Sequence, residues 1–202
     1  MENKDTRTFE INPKIEMKKV QFRNRYGIML AGDLYLPEGY GEKKNPAVIV
    51  SGPFGAVKEQ ASGLYAQELA ARGFVSMAFD PSFGGESGGE VRNMASPEIF
   101  TEDYSAAVDY VGLLPYVDRE RIGAIGICGL SGMAITAAGT DTRIKAVATL
   151  SMYDMSRDMS RGHMDCYTDQ QRNKIKRYLS GQRWKDAETG TFAPGNHEIA
   201  FD

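Results

Sequence analysis

Cysteine, histidine and tryptophan are scarce in this chain, at 2, 2 and 1 of 202 residues. Two cysteines, Cys128 and Cys166, cannot build a disulfide framework. They also lack the Cys-x-x-Cys or Cys/His spacing of a zinc site, so no metal is expected. No apolar run approaches the roughly 20 residues of a membrane span, and the opening Met1-Glu2-Asn3-Lys4-Asp5 is too polar for a secretory signal. A cytoplasmic protein without membrane contacts is the expectation. A basic excess is missing too: 24 Lys+Arg against 27 Asp+Glu leave a formal charge of -3. That balance speaks against a nucleic-acid footprint, and a small-molecule substrate becomes the expected partner.

What is present describes an ordinary globular chain, 42% hydrophobic and 25% charged, with 22 glycines for loops and tight turns. Its length suffices for one sizeable core. Residues 1–17 are a polar N-terminal segment. Lys18 to Phe22 and Ile28 to Leu36 read as an antiparallel hairpin turning at Asn24-Arg25-Tyr26-Gly27. Ala47 to Val50 is a continuous apolar run suited to a strand covered on both faces. Val57 to Arg72 follows as a helix, with Ala61, Leu64, Tyr65 and Leu69 on its expected apolar face and Gly73 ending it.

Phe74 to Phe79 is strand-like again. Pro97 to Leu114 places Phe100, Tyr104, Ala107, Val108 and Val111 on one helical face before Pro115. Ile122 to Ile127 reads as a strand, Ser131 to Ala138 as a short helix and Ile144 to Ser151 as another strand. This alternation predicts an α/β fold: a mainly parallel sheet with helices on both faces, preceded by the antiparallel hairpin. It occupies residues 18–155. Residues 156–202 hold a helix opened by a capping box at Thr168-Asp169-Gln170-Gln171, running through about Leu179 with reach to Trp184, and then a polar tail.

The segment Gly126-Ile127-Cys128-Gly129-Leu130-Ser131-Gly132 carries the sharpest chemical signal. A strand runs into a helix through a turn flanked by small residues, the context of a nucleophile elbow. A nucleophile there takes a strained backbone, and Gly126 and Gly129 give it room. The positive end of the following helix would favour the thiolate of Cys128. A buried cysteine acting as a small hydrophobe is the competing reading; the strand-turn-helix context favours the nucleophile. Gly126, Gly129 and Gly132 do not make the G-x-G-x-x-G of a dinucleotide site, and no cofactor is expected.

Ser51-Gly52-Pro53-Phe54-Gly55 follows the strand expected beside the elbow strand. Pro53 has no N–H, so the amide of Phe54, with that of Gly129, would receive an oxyanion. The same residues equally suit a plain Gly/Pro turn. The loop from Asp80 to Gly89 reads as charged, solvated structure at the carboxyl edge of the sheet, and neither Asp80 nor Glu86 is given a catalytic role.

On Ser51 to Gln60, Asp80 to Gly89, Val117 to Ile122 and Gly126 to Gly132, the chain resembles the α/β-hydrolase superfamily, in particular its cysteine-nucleophile, dienelactone hydrolase-like branch. The resemblance covers Lys18 to Met155. It implies acyl transfer from small carboxylic esters, thioesters or lactones, with Cys128 as nucleophile and the amides of Phe54 and Gly129 as oxyanion hole. Leu130 departs from the small residue usual two places after the nucleophile, and Ser51 stands where dienelactone hydrolase has a glutamate.

In that family the acid and the histidine follow on later strands. Asp154, just past Ile144 to Ser151, is the candidate acid. His163 is the candidate base, and His197 is the other histidine. The resemblance also implies that Thr168 to Trp184 begins a helical cap and that the C-terminal strands are missing, so that a homodimer would cover the exposed sheet edge. A terminal helix packed on the sheet is the alternative for that segment. Two functions stay open: a cysteine hydrolase, complete only if a histidine reaches Cys128, and a non-catalytic α/β-hydrolase-like binding module.

Overall fold

Alternating side chains along Glu16–Arg23 (β1) and Met29–Leu36 (β2) give an antiparallel pair, in register from Glu16 opposite Leu36 to Arg23 opposite Met29. The computed structural model describes residues 6–152 and 154–193. Between the two strands Gly27 sits at φ 82°, a conformation that favours glycine, and donates its amide to Asn24 O. The expected hairpin is therefore present.

Four further strands, Asn45–Ser51 (β3), Val75–Phe79 (β4), Val117–Ile127 (β5) and Ile144–Leu150 (β6), complete a sheet of order β1-β2-β4-β3-β5-β6. β3 is parallel to both β4 and β5, and β5 is parallel to β6; β2 joins β4 antiparallel. Because neighbouring residues of a strand face opposite ways, β3 divides its side chains between two cores. Val48 and Val50 meet Ala66 and Ala70 of helix α1 (Ala61–Ala70). Ala47 and Ile49 share the other core with Tyr104 and Val108 of α2 (Pro97–Gly112) and Ala134 and Ala137 of α3 (Ser131–Thr140). Helices thus cover both faces, as an α/β sheet requires.

The structure revises some expected boundaries. α1 starts at Ala61 rather than Val57, since Val57 to Gln60 is a turn closed by Gln60 N–H to Val57 O. Its buried face is Ser62, Gly63, Ala66, Gln67 and Ala70, while Leu64 and Tyr65 are exposed. Close approach explains the inversion: a Cβ on Gly63 would stand 2.4 Å from Lys58 O and 2.9 Å from the Phe9 ring, so the inward face must be small. β5 begins five residues before the expected Ile122, where Val117 pairs with Asn45 ahead of a register shift. The segment before β1 is tied to α1 by Asn12 N–H to Gln67 Oε1 and by Gln67 Nε2 to Glu10 O.

The chain divides into two compact units, Met1–Tyr153 and Asp154–Asp202. In the second, α4 (Met155–Arg161) precedes a single 3-10 turn, His163–Asp165, and α5 (Asp169–Thr189). The capping box at Thr168 and Gln171 is formed as the sequence suggested, and α5 runs past Trp184 to end at Gly190, φ 66°. No helix among the described residues is long and apolar enough to cross a membrane.

Candidate active site

β5 ends at Ile127, and Cys128 opens a 3-10 turn, Cys128–Leu130, that leads directly into α3. Cys128 has φ 56°, left-handed backbone that a non-glycine residue adopts only where its surroundings enforce it. The enforcement is visible around it. A Cβ on Gly126 would lie 2.5 Å from Ser131 Cα, 2.8 Å from Leu130 O and 2.9 Å from Ala134 Cβ, so strand and helix cross too closely there for any side chain. The Ser131 hydroxyl donates to Gly126 O at 2.8 Å across the same corner. From α2, the buried Tyr104 hydroxyl lies 3.2 Å from Ile125 O and 3.5 Å from Leu130 O, bracing the turn from beneath. Leu130, unusual by the resemblance, fits because its side chain is buried in the core shared with α2.

Cys128 is half-buried and packs beside the α1-side cluster, and Gly129 is buried. Register then fixes what lies next to the elbow. Ser51 at the end of β3 is directly opposite Gly126 of β5, so the Gly52 to Gln60 loop leaves the sheet alongside the corner that carries Cys128. Gly52 has no room for a side chain without displacing Ser62, whose Oγ would be 3.2 Å from its Cβ. Ala56 N–H to Pro53 O closes a turn through Phe54, with Gly55 at φ 80°. The Phe54 ring is half-buried and meets Phe100 edge-on at 6.1 Å.

The two remaining candidates lie in the second unit. Asp154 is the N-cap of α4, its carboxylate accepting from Ser156 Oγ at 2.6 Å and Arg157 N–H at 3.0 Å. Those bonds hold its pKa below the usual carboxylate range. His163 is exposed, with Nδ1 3.6 Å from Asp158 Oδ1; Asp158, not Asp154, is the acid at ion-pair distance from it. His197 lies outside the described residues. Among the described residues no group of three or more His, Cys, Asp or Glu could hold a metal ion.

Sequence reasoning missed the order in the loop after β4. Asp80 is fully buried, not solvated, and Lys58 is buried against it, with Nζ 3.1 Å from Asp80 Oδ2. Burial raises the Asp80 pKa, and Lys58 offsets this in part. Glu86, half-exposed, is held below its ordinary value by Lys58 and Lys19. Tyr104 and Ser131 were read only as core and helix residues. The hydroxyl of Ser131 at the strand-to-helix junction is a legible signal, whereas Tyr104, in the middle of α2, carries none.

Residues 26–190 match the family described as X-Pro dipeptidyl-peptidase (S15 family). The chain belongs to the S15 family. Protein PA2218 of Pseudomonas aeruginosa is 60% identical over 195 residues, 96% of this S15 chain and 53% of that protein. Its crystal structure superposes with a TM-score of 0.90, covering 95% of this chain and 60% of that one. A thiohydrolase of Aspergillus aculeatus, aneE, is 34% identical over 139 residues, 69% of this chain and 42% of aneE. The α/β hydrolase GrgF of Penicillium sp. sh18 shares the fold at a TM-score of 0.75 and 23% identity, covering 86% of this chain and 56% of GrgF. This S15 chain therefore has an α/β-hydrolase-like fold, and it spans about half the length of the curated relatives it matches.

Proposed function

We propose that the protein takes part in acyl transfer from small carboxylic esters, thioesters or lactones, with Cys128 as the nucleophile, as in the dienelactone hydrolase-like cysteine enzymes. The observation that carries the reading is the left-handed backbone of Cys128 at a corner where Gly126 admits no side chain. The names thiohydrolase and acyltransferase borne by more distant relatives support the same chemistry.

In this reading Cys128 Sγ attacks the acyl carbonyl carbon, and a C–S bond forms as the carbonyl π electrons move onto oxygen. The amides of Phe54 and Gly129 receive that oxyanion. Collapse expels an alkoxide or thiolate, which leaves with a proton, and water then cleaves the thioester to release acid and regenerate the thiol. His163 is the proposed base, with Asp158, the carboxylate at ion-pair distance from its Nδ1, as its acid, since Asp154 is engaged as the α4 cap; the start of α3 adds a favourable dipole for the thiolate.

The test is incubation with p-nitrophenyl acetate, followed by peptide mapping. One acetyl group on the Cys128 peptide, absent in Cys128→Ala and retained in Cys166→Ala, is the expected result. If Cys128→Ala releases p-nitrophenolate at the wild-type rate, the nucleophile is misassigned. With wild-type turnover established, His163→Ala should lower it by about a hundredfold or more if His163 is the base.

A further inference from the structure

Lys58 is 1% exposed, and its ammonium is ringed by carboxylates: Nζ lies 2.7 Å from Glu59 Oε1, 3.1 Å from Asp80 Oδ2 and 2.7 Å from Glu86 Oε2. A buried ammonium is tolerated only with such partners, and losing it strands buried carboxylates in turn. Asp80 uses both oxygens on backbone as well. Its Oδ1 accepts from Lys58 N–H at 2.7 Å, and its Oδ2 accepts from Glu86 N–H at 2.9 Å. The loop after β4 is wrapped tightly on this carboxylate, for a Cβ on Gly85 would stand 2.2 Å from Asp80 Oδ2.

Asp80 directly follows the last residue of β4, the strand parallel to β3, so the node is fixed to the sheet. Through Lys58 it grips the loop that leaves β3 beside Gly126. That loop is thus held at two points: by strand pairing at Ser51, and by both the side chain and the amide of Lys58. Phe54 lies between them. The short span leaves little freedom for its amide once both ends are set.

We infer that Lys58 is a positioning residue: anchored on Asp80 and Glu86, it holds the Phe54 amide where it faces the oxyanion formed at Cys128. This role rests on the acyl-transfer reading above. An oxyanion donor works only when fixed in advance at the place where charge develops, and a buried, multiply bonded ammonium is a rigid means of fixing it. Three measurements on the whole chain test the role. Acetylation of Cys128 by p-nitrophenyl acetate builds an oxyanion. Alkylation by iodoacetamide consumes the same thiol without building one. Amide hydrogen exchange at Phe54 reads the anchoring itself.

In Lys58→Met, acetylation should slow at least about tenfold, alkylation should stay within about twofold of wild type, and Phe54 should exchange faster. Glu86→Gln, which weakens the same anchor at its half-exposed partner, should slow acetylation in the same direction by about twofold to fivefold. It answers the question if Lys58→Met does not fold. Equal loss of acetylation and alkylation, or unchanged acetylation in folded variants, overturns the positioning role alone. A wild-type chain that is alkylated at Cys128 but never acetylated overturns the acyl-transfer reading, and the role with it; faster Phe54 exchange in the variant would then mark the anchor as structural only.

Discussion

Gly126 carries the tightest contact of the elbow, and the space denied to its Cβ is occupied by the backbone of Ser131 and Leu130 rather than by movable side-chain ends. Gly126→Ala should therefore cost about 1–3 kcal/mol or more by overpacking, seen as a lower urea midpoint, and should change the iodoacetamide rate at Cys128. A variant as stable and as reactive as wild type would show that the corner is looser than described. Asp103 makes a different prediction at this scale. Burial lifts its carboxyl to about 6, although Asn24 Nδ2 at 2.7 Å, Ser82 N–H at 2.8 Å and Ser82 Oγ at 2.9 Å all donate to it. A carboxyl with a raised folded pKa binds its proton more tightly in the folded state. Its contribution is greatest below about pH 4 and declines as pH rises to about 6. Unfolding free energies of wild type relative to Asp103→Asn should fall across that window by up to ~3 kcal/mol and level off above it. A difference that grows between pH 4 and pH 6 would contradict the assignment.

Elements differ in how plainly their sequence announces them. α5 is announced by chemistry at its start: Thr168 Oγ1 accepts from Gln171 N–H at 3.3 Å, and Gln171 Oε1 accepts from Thr168 N–H at 2.9 Å. Thr168→Ala should cost the helix about 1 kcal/mol, measurable as faster amide exchange in its first turn; unchanged exchange would mean that the cap contributes nothing. α2 was legible because bulky apolar residues repeat at the helical period, and Phe100, Tyr104, Ala107, Val108 and Val111 are all buried as expected; β3 was legible because Ala47 to Val50 is a continuous apolar run. α1 was legible as a helix, but its buried face was not. Hydrophobic periodicity weighs bulk, whereas close neighbours select small residues here: the Lys58 carbonyl and the Phe9 ring leave no room for a side chain at Gly63, and Ser62 sits against Gly52. α4 escaped because Met155–Arg161 has no apolar stripe, and its start depends on the Asp154 cap. The elbow could be read because its requirements are local: a strand, a glycine, a thiol and a helix within a few residues. The Lys58 and Asp80 anchor could not, since it joins residues 22 apart from different loops, and a charge in a loop reads as solvated until its partner is known.

Across the six-stranded sheet the two edges are unlike. β1 protects its outer edge with Glu16, Lys18, Lys19 and Arg23, charges that discourage pairing with another chain. β6 carries only Lys145 among Ile144, Ala146, Val147, Ala148, Thr149 and Leu150, and all but its ends are exposed. A strand of a parallel sheet is ordinarily covered on both faces, and an edge strand is ordinarily blunted by charge or covered. β6 pairs only with β5 among the described residues. The chain should therefore self-associate through β6, the edge strand of a second copy pairing with its open side. Sedimentation velocity should show a concentration-dependent dimer, and placing a second charge on the strand, as Val147→Lys, should shift the equilibrium toward monomer at least about tenfold, because a desolvated charge opposes strand pairing. A chain that stays monomeric at every concentration, or a dimer indifferent to Val147→Lys, would show that the apolar composition of β6 does not by itself recruit a partner.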